Sequence, residues 1–136
     1  MRTVAVLLVV AVIAGLGYYY RPDIVARFSD EAGRARLAGD YLVEDAQAAM
    51  AAIARNAESK SALRGSGAGI TVKPSRRGAR FYGGDGFFLV GSNGVIQARS
   101  PQHGVTLTLT PELRDGKTLW RCSGTGPPDR LTSRCR

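Results

Sequence analysis

The sequence has little of what chemistry most often uses. It contains one histidine, His103, and two cysteines, Cys122 and Cys135. Together these cannot furnish the four ligands of a structural zinc site at any of its usual spacings, so no metal centre is predicted. Glycine is frequent but forms no nucleotide signature. Gly65-x-Gly67 follows a helical stretch, and Ile70 stands where a dinucleotide fingerprint needs glycine; Gly83-Gly84-Asp85-Gly86 has no Gly-Lys-Ser/Thr behind it. His103 falls in a Pro101-Gln102-His103-Gly104 turn with no nucleophile or orienting acid beside it in sequence. The reading is a non-enzyme with no catalytic residue, no metal and no cofactor. Internal repeats are also missing, and the low-complexity stretches are short and glycine-rich, as loops are.

Acidic residues are scarce in the second half. Residues 21–59 carry five Arg against seven Asp and Glu, whereas residues 60–136 carry thirteen Lys and Arg against four acids; with Arg2 this gives the net +8. A basic half of this kind suits nucleic acid, anionic lipid or an acidic protein, or is a solubility charge without a partner. Arg76, Arg77 and Arg80 are the densest cluster, with Lys73, Phe81 and Tyr82 beside them. Arginine next to aromatics binds phosphate and stacks on bases; the competing reading is a solvated loop whose aromatics fold inward. Arg121 is a further candidate contact.

Charge is absent altogether from Val4 to Tyr20. As a helix these seventeen residues span about 25 Å, close to the ~30 Å of a bilayer's hydrocarbon core. Tyr18, Tyr19 and Tyr20 suit the membrane interface. The segment reads as a membrane anchor in contact with lipid, with a cleaved signal peptide near Ala14-Gly15-Leu16-Gly17 as the alternative. In an exported chain the two cysteines read as one disulfide, which places the C-terminal domain outside the cytoplasm. Closing the twelve-residue loop between them is worth roughly 3 kcal/mol.

The 136 residues allow one domain. Pro22 follows the anchor, and Ser29-Asp30-Glu31 marks a helix start. From there to about Leu63 the chain is alanine-rich, and Leu42, Ala46, Ala49, Ile53 and Ala57 recur every three or four residues, broadened by Leu37, Tyr41 and Met50. This is an amphipathic helix, with Leu42, Met50 and Ile53 as its packing residues. Lys60, Arg64 and Gly65 signal its end. After Gly65–Gly69 the period changes. Ile70-Thr71-Val72 and Phe87–Val90 read as strands. Ser92-Asn93-Gly94 turns the chain into Val95-Ile96, Val105–Thr110 alternates cleanly, and Asp115-Gly116 turns into Lys117–Cys122 with Trp120. The predicted fold is α+β: a transmembrane helix, then an amphipathic helix on a three- to four-stranded antiparallel sheet. Its parts are an anchor over 1–21, a helical stem and core helix over 22–64, and a sheet with a disulfide loop over 65–136.

From Gly104 to Arg136 the sequence resembles the C-terminal region of type IV pilins: a Thr/Leu-alternating strand, a Gly turn, a strand ending in Trp120-x-Cys122, and a loop closed by Cys135. Gly91–Ile96 resembles the strand upstream, and Pro22 stands where pilins carry a helix-kinking proline. The resemblance implies a pilin-like roll in a bacterial inner-membrane protein with a periplasmic domain. Its function would be that of a subunit of a type IV pilus or related filament, with other pilins or pilus-assembly proteins as partners. No glutamate lies in the apolar run and no leader glycine precedes it. An accessory protein that stays in the inner membrane and assists pilin assembly is therefore a second reading. A receptor that captures DNA during uptake, through Arg76, Arg77, Arg80 and Arg121, is a third. Lateral association with pilins is expected through the stripe at Leu42 and Ile53.

Overall fold

A computed structural model describes residues 30–136. The apolar segment Val4–Tyr20, the proline at 22 and Ser29 lie outside the described residues. No helix among those described is long and apolar enough to cross a membrane.

Helix α1 spans Glu31–Lys60. It starts where an acceptor is available: the Asp30 side chain accepts from the Ala32 N–H at 3.2 Å, satisfying one of the open amides of the first turn. It ends at Lys60, short of Leu63, because Ser61 turns left-handed (φ 51°) and donates its N–H back to the Ala57 carbonyl. That geometry is usually left to glycine. Thirty helical residues run about 45 Å. One side is buried at Ala35, Ala38, Leu42, Val43, Ala46, Ala49, Ile53 and Ala57, the three-and-four spacing of a core-facing stripe.

Four strands form one antiparallel sheet in the order β1-β2-β3-β4: β1 Phe87–Val90, β2 Ile96–Ser100, β3 Val105–Arg114 and β4 Lys117–Thr125. Pairing of Arg114 with Lys117 leaves Asp115 (φ 52°) and Gly116 (φ 76°) as a two-residue turn, both in the region such hairpins require. β3 contains Pro111, which cannot donate to a ladder. β2 begins at Ile96, opposite Leu109, so Pro111 lies where β3 has a neighbour on the β4 side alone.

Alternation sends Ile96, Ala98, Ser100, Val105, Leu107 and Leu109 toward α1, all buried. Two apolar clusters result. One joins Ala35, Ala38, Leu42 and Val43 to Ala98, Val105 and Leu107; the other joins Ala46, Ala49 and Ile53 to Ile96 and Leu109. Phe88 and Cys122 touch both. The opposite sheet face is open, and the exposed large apolar side chains Phe87, Leu89 and Leu119 stand on it.

Two expectations are corrected. Ile70-Thr71-Val72 is not a strand; Ile70 and Val72 instead pack their side chains on the second cluster. Residues 65–136 also hold more than sheet and loops, because Arg76–Tyr82 is a short helix, α2. Ser75 caps it by accepting from the Gly78 N–H, and Gly83 ends it at φ 95°.

Candidate functional site

Helix α2 carries the basic cluster, and its placement depends on one carboxylate. Asp45, on α1, accepts from the Ser75 N–H (3.0 Å), the Ser75 hydroxyl (2.8 Å) and the Tyr82 hydroxyl (2.6 Å). Both ends of α2 are thus tied to one residue of α1. Tyr82 is wholly buried. Its phenol is held well above the ordinary tyrosine range, first by desolvation, then by its bond to Asp45 and the charge of that carboxylate. The ring meets Phe88 of β1 edge-on at 6.0 Å, so α2 is also seated against the sheet.

With α2 fixed, Arg76, Arg77 and Arg80 project from the surface, all exposed. The Arg77 guanidinium lies over Tyr41 at 5.7 Å, and Tyr41 stacks on Phe81 at 4.3 Å. The aromatics therefore turn toward α1 and are half-buried, while the cations face solvent.

The structure does not bring the four candidate arginines together. Arg121 is on β4, the opposite edge of the sheet from β1, and opposes Thr110 on the open face. It lies 3.8 Å from Glu112, which also pairs with Arg114 at 3.1 Å. The expected grouping of Arg121 with Arg76, Arg77 and Arg80 is corrected: β-pairing puts it on another face.

Arg80 has different neighbours. It lines a cleft of about 440 Å³ with Glu31, Arg34 and Leu37 from the start of α1, with Phe81, and with Gln102 and His103 of the 3-10 turn Pro101–His103. His103 is 6% exposed. Its Nε2 sits 3.0 Å from the Phe81 carbonyl, and its Nδ1 is buried with no hydrogen-bond partner among the described residues. Sequence reasoning noticed His103 but could not pair it with Arg34, which lies on another element 69 positions earlier.

The helix residues Leu42 and Ile53 are fully buried, and Met50 is half-buried against the second cluster. They pack on this chain's own sheet. The expected lateral association through Leu42 and Ile53 is therefore corrected: that stripe is occupied within the domain.

Cys122 and Cys135 form the disulfide. The loop it closes is also fastened to α1. Thr132 donates to Asp40, Arg36 donates to the Asp129 carbonyl at 2.6 Å, and Arg130 pairs with Glu31 at 3.5 Å. Gly39 lets the loop come this near, since a Cβ there would lie 3.1 Å from Thr132 Cγ2.

Half of the ten acids among the described residues are thus engaged in holding the fold: Asp30 caps α1, Asp40 and Glu31 hold the loop, Asp45 holds α2, and Glu58 accepts from the Thr118 N–H at 2.9 Å. Among the described residues, Arg34, Arg76, Arg77 and Arg80 form no ion pair. No group of three or more metal-ligating side chains forms there either. Comparison with protein-family models, with characterised proteins and with solved structures gives no match.

Proposed function

We propose that the protein is a non-enzymatic, pilin-like membrane protein, a subunit of a type IV pilus or of a related filament. The observation that carries this reading is the joining of the disulfide loop to the long helix. α1 packs along an antiparallel meander, and the last strand is bonded to a loop that Asp40 and Arg36 fasten back onto α1. This agrees with the pilin-like pattern of Gly104–Arg136. It also leaves the domain beginning ten residues behind the uncharged run that ends at Tyr20.

Because the Leu42–Ile53 stripe is occupied, contacts with neighbouring subunits fall to the solvent side of α1 and to the open sheet face. The test is on membranes of cells that produce the protein. It should resist alkaline carbonate extraction, and in mild detergent it should co-purify with pilins or pilus-assembly proteins. N-terminal sequencing of the same material distinguishes an intact anchor from a cut leader. Release by carbonate, or recovery free of any filament component, sinks the reading.

A further inference from the structure

We propose that the cleft between the start of α1, the end of α2 and the Pro101–His103 turn binds the phosphate group of an organic phosphate. Its charge is that of an anion site. Arg34 and Arg80 reach it from two different helices, and neither forms an ion pair among the described residues. The one acid on its wall, Glu31, is matched by Arg130 at 3.5 Å, so the cleft keeps a positive balance.

His103 adds a third polar group to the wall. A carbonyl oxygen only accepts, so the Nε2 facing Phe81 O at 3.0 Å carries the ring hydrogen. This leaves Nδ1 as the buried atom without a partner, a cost that native folds seldom carry without reason. With its lone pair free, Nδ1 is an acceptor, the partner that a phosphate's own P–O–H needs. Two guanidinium forks suit a tetrahedral anion with three free oxygens better than a planar carboxylate, which a single arginine already satisfies. The remaining wall is apolar, from Leu37 and the half-buried Phe81, with Gln102 as an amide donor and acceptor. A volume of about 440 Å³ exceeds what phosphate alone fills, so the phosphate is expected to carry an organic group. Either an anionic phospholipid headgroup or a soluble phosphomonoester has that chemistry.

The full-length chain in a neutral detergent tests this by calorimetry and by ¹⁵N shifts of the single histidine. The probes are inorganic phosphate, glycerol phosphate and short-chain phosphatidylglycerol. Glycerol phosphate or the lipid should bind more tightly than inorganic phosphate and move the His103 ring signals; which of the two binds better names the source. Arg34→Gln and Arg80→Gln should each weaken binding by about tenfold, and Arg121→Gln should leave it unchanged. Failure of both organic phosphates to bind overturns the proposal. So does equal weakening by Arg121→Gln, which would show diffuse surface charge in place of a site. Neither result bears on carbonate resistance or filament co-purification, so the site and the filament reading stand or fall separately.

Discussion

Removing the hydroxyl that Tyr82 donates to Asp45 separates the role of this bond from that of the apolar core around it. Tyr82→Phe keeps the ring, its edge contact with Phe88 and its place in the first apolar cluster. It deletes a 2.6 Å bond to a carboxylate, within the short range of charge-assisted pairs. Such bonds contribute about 2 kcal/mol. Asp45→Ala does more, because it strips Ser75 of both its bonds and leaves the Tyr82 hydroxyl buried and unpaired. It should cost about 3 kcal/mol or more. In the double variant the orphaned hydroxyl is gone, so the two costs should fall short of additive by about 1 kcal/mol or more. Urea unfolding of the full chain in mild detergent measures all three. Additivity within about 0.5 kcal/mol would refute the argument that Asp45 organises α2 through Tyr82. The same bond fixes a pH dependence. The folded-state value of the phenol lies above the unfolded one. Its contribution is therefore fully present below pH ~10, and it declines by up to about 1.4 kcal/mol per unit as the unfolded chain gives up a proton that the native one retains. Tyr82→Phe should flatten the alkaline limb between pH 9 and 11; an unchanged slope counts against the assignment.

Three further outcomes follow from packing. Gly67→Ala drives a Cβ into the Gly91 carbonyl oxygen, where the two loops cross and Gly67 N–H donates to Ser92 O at 3.2 Å; it should lower stability by about 3 kcal/mol, whereas Gly84→Ala, with nothing within 4 Å, should be neutral in the same thermal melts. Ile53→Ala empties a fully buried site between α1, Ile96 and Leu109 and should cost about 2–5 kcal/mol in chemical denaturation. Reduction of Cys122–Cys135 should cost roughly 3 kcal/mol. The loop should then remain docked by Asp40 and Arg36 and keep amide protection at Cys135, whose N–H donates to the Thr132 carbonyl at 3.0 Å, unless Asp40→Ala is added.

The elements with a strong local period were legible in the sequence. The α1 stripe, the Val105–Leu109 alternation and the Asp115-Gly116 turn each repeat one physical rule over several residues. α2 was hidden because it is seven residues long, carries Gly78 in its interior and has an arginine-rich surface that reads as loop. The signals it did offer were Ser75 ahead of it and Gly83 behind. Ile70 and Val72 misled through β-branching: a strand also needs a ladder partner, and none is adjacent. The cleft was illegible for another reason. Arg34, Arg80 and His103 meet because Asp45, the Tyr41–Phe81 stack and the Tyr82–Phe88 contact seat α2 against α1 and the sheet, and these are through-space facts with no spacing to announce them.

The face that α1 turns to the sheet is made largely of methyl groups. Five of its buried positions are alanines, and buried Gly33 and Gly39 share the helix. A helix so trimmed lies close to its sheet and fills the gap with little hydrocarbon. Unfolding accordingly releases less apolar surface per residue than a leucine-rich interior would, and the heat-capacity change should sit at or below the usual ~12–15 cal/mol/K per residue. The temperature dependence of stability is then shallow. A domain of this kind depends less on the hydrophobic term that fades on cooling, and more on the directional bonds that fasten α2 and the C-terminal loop to its long helix.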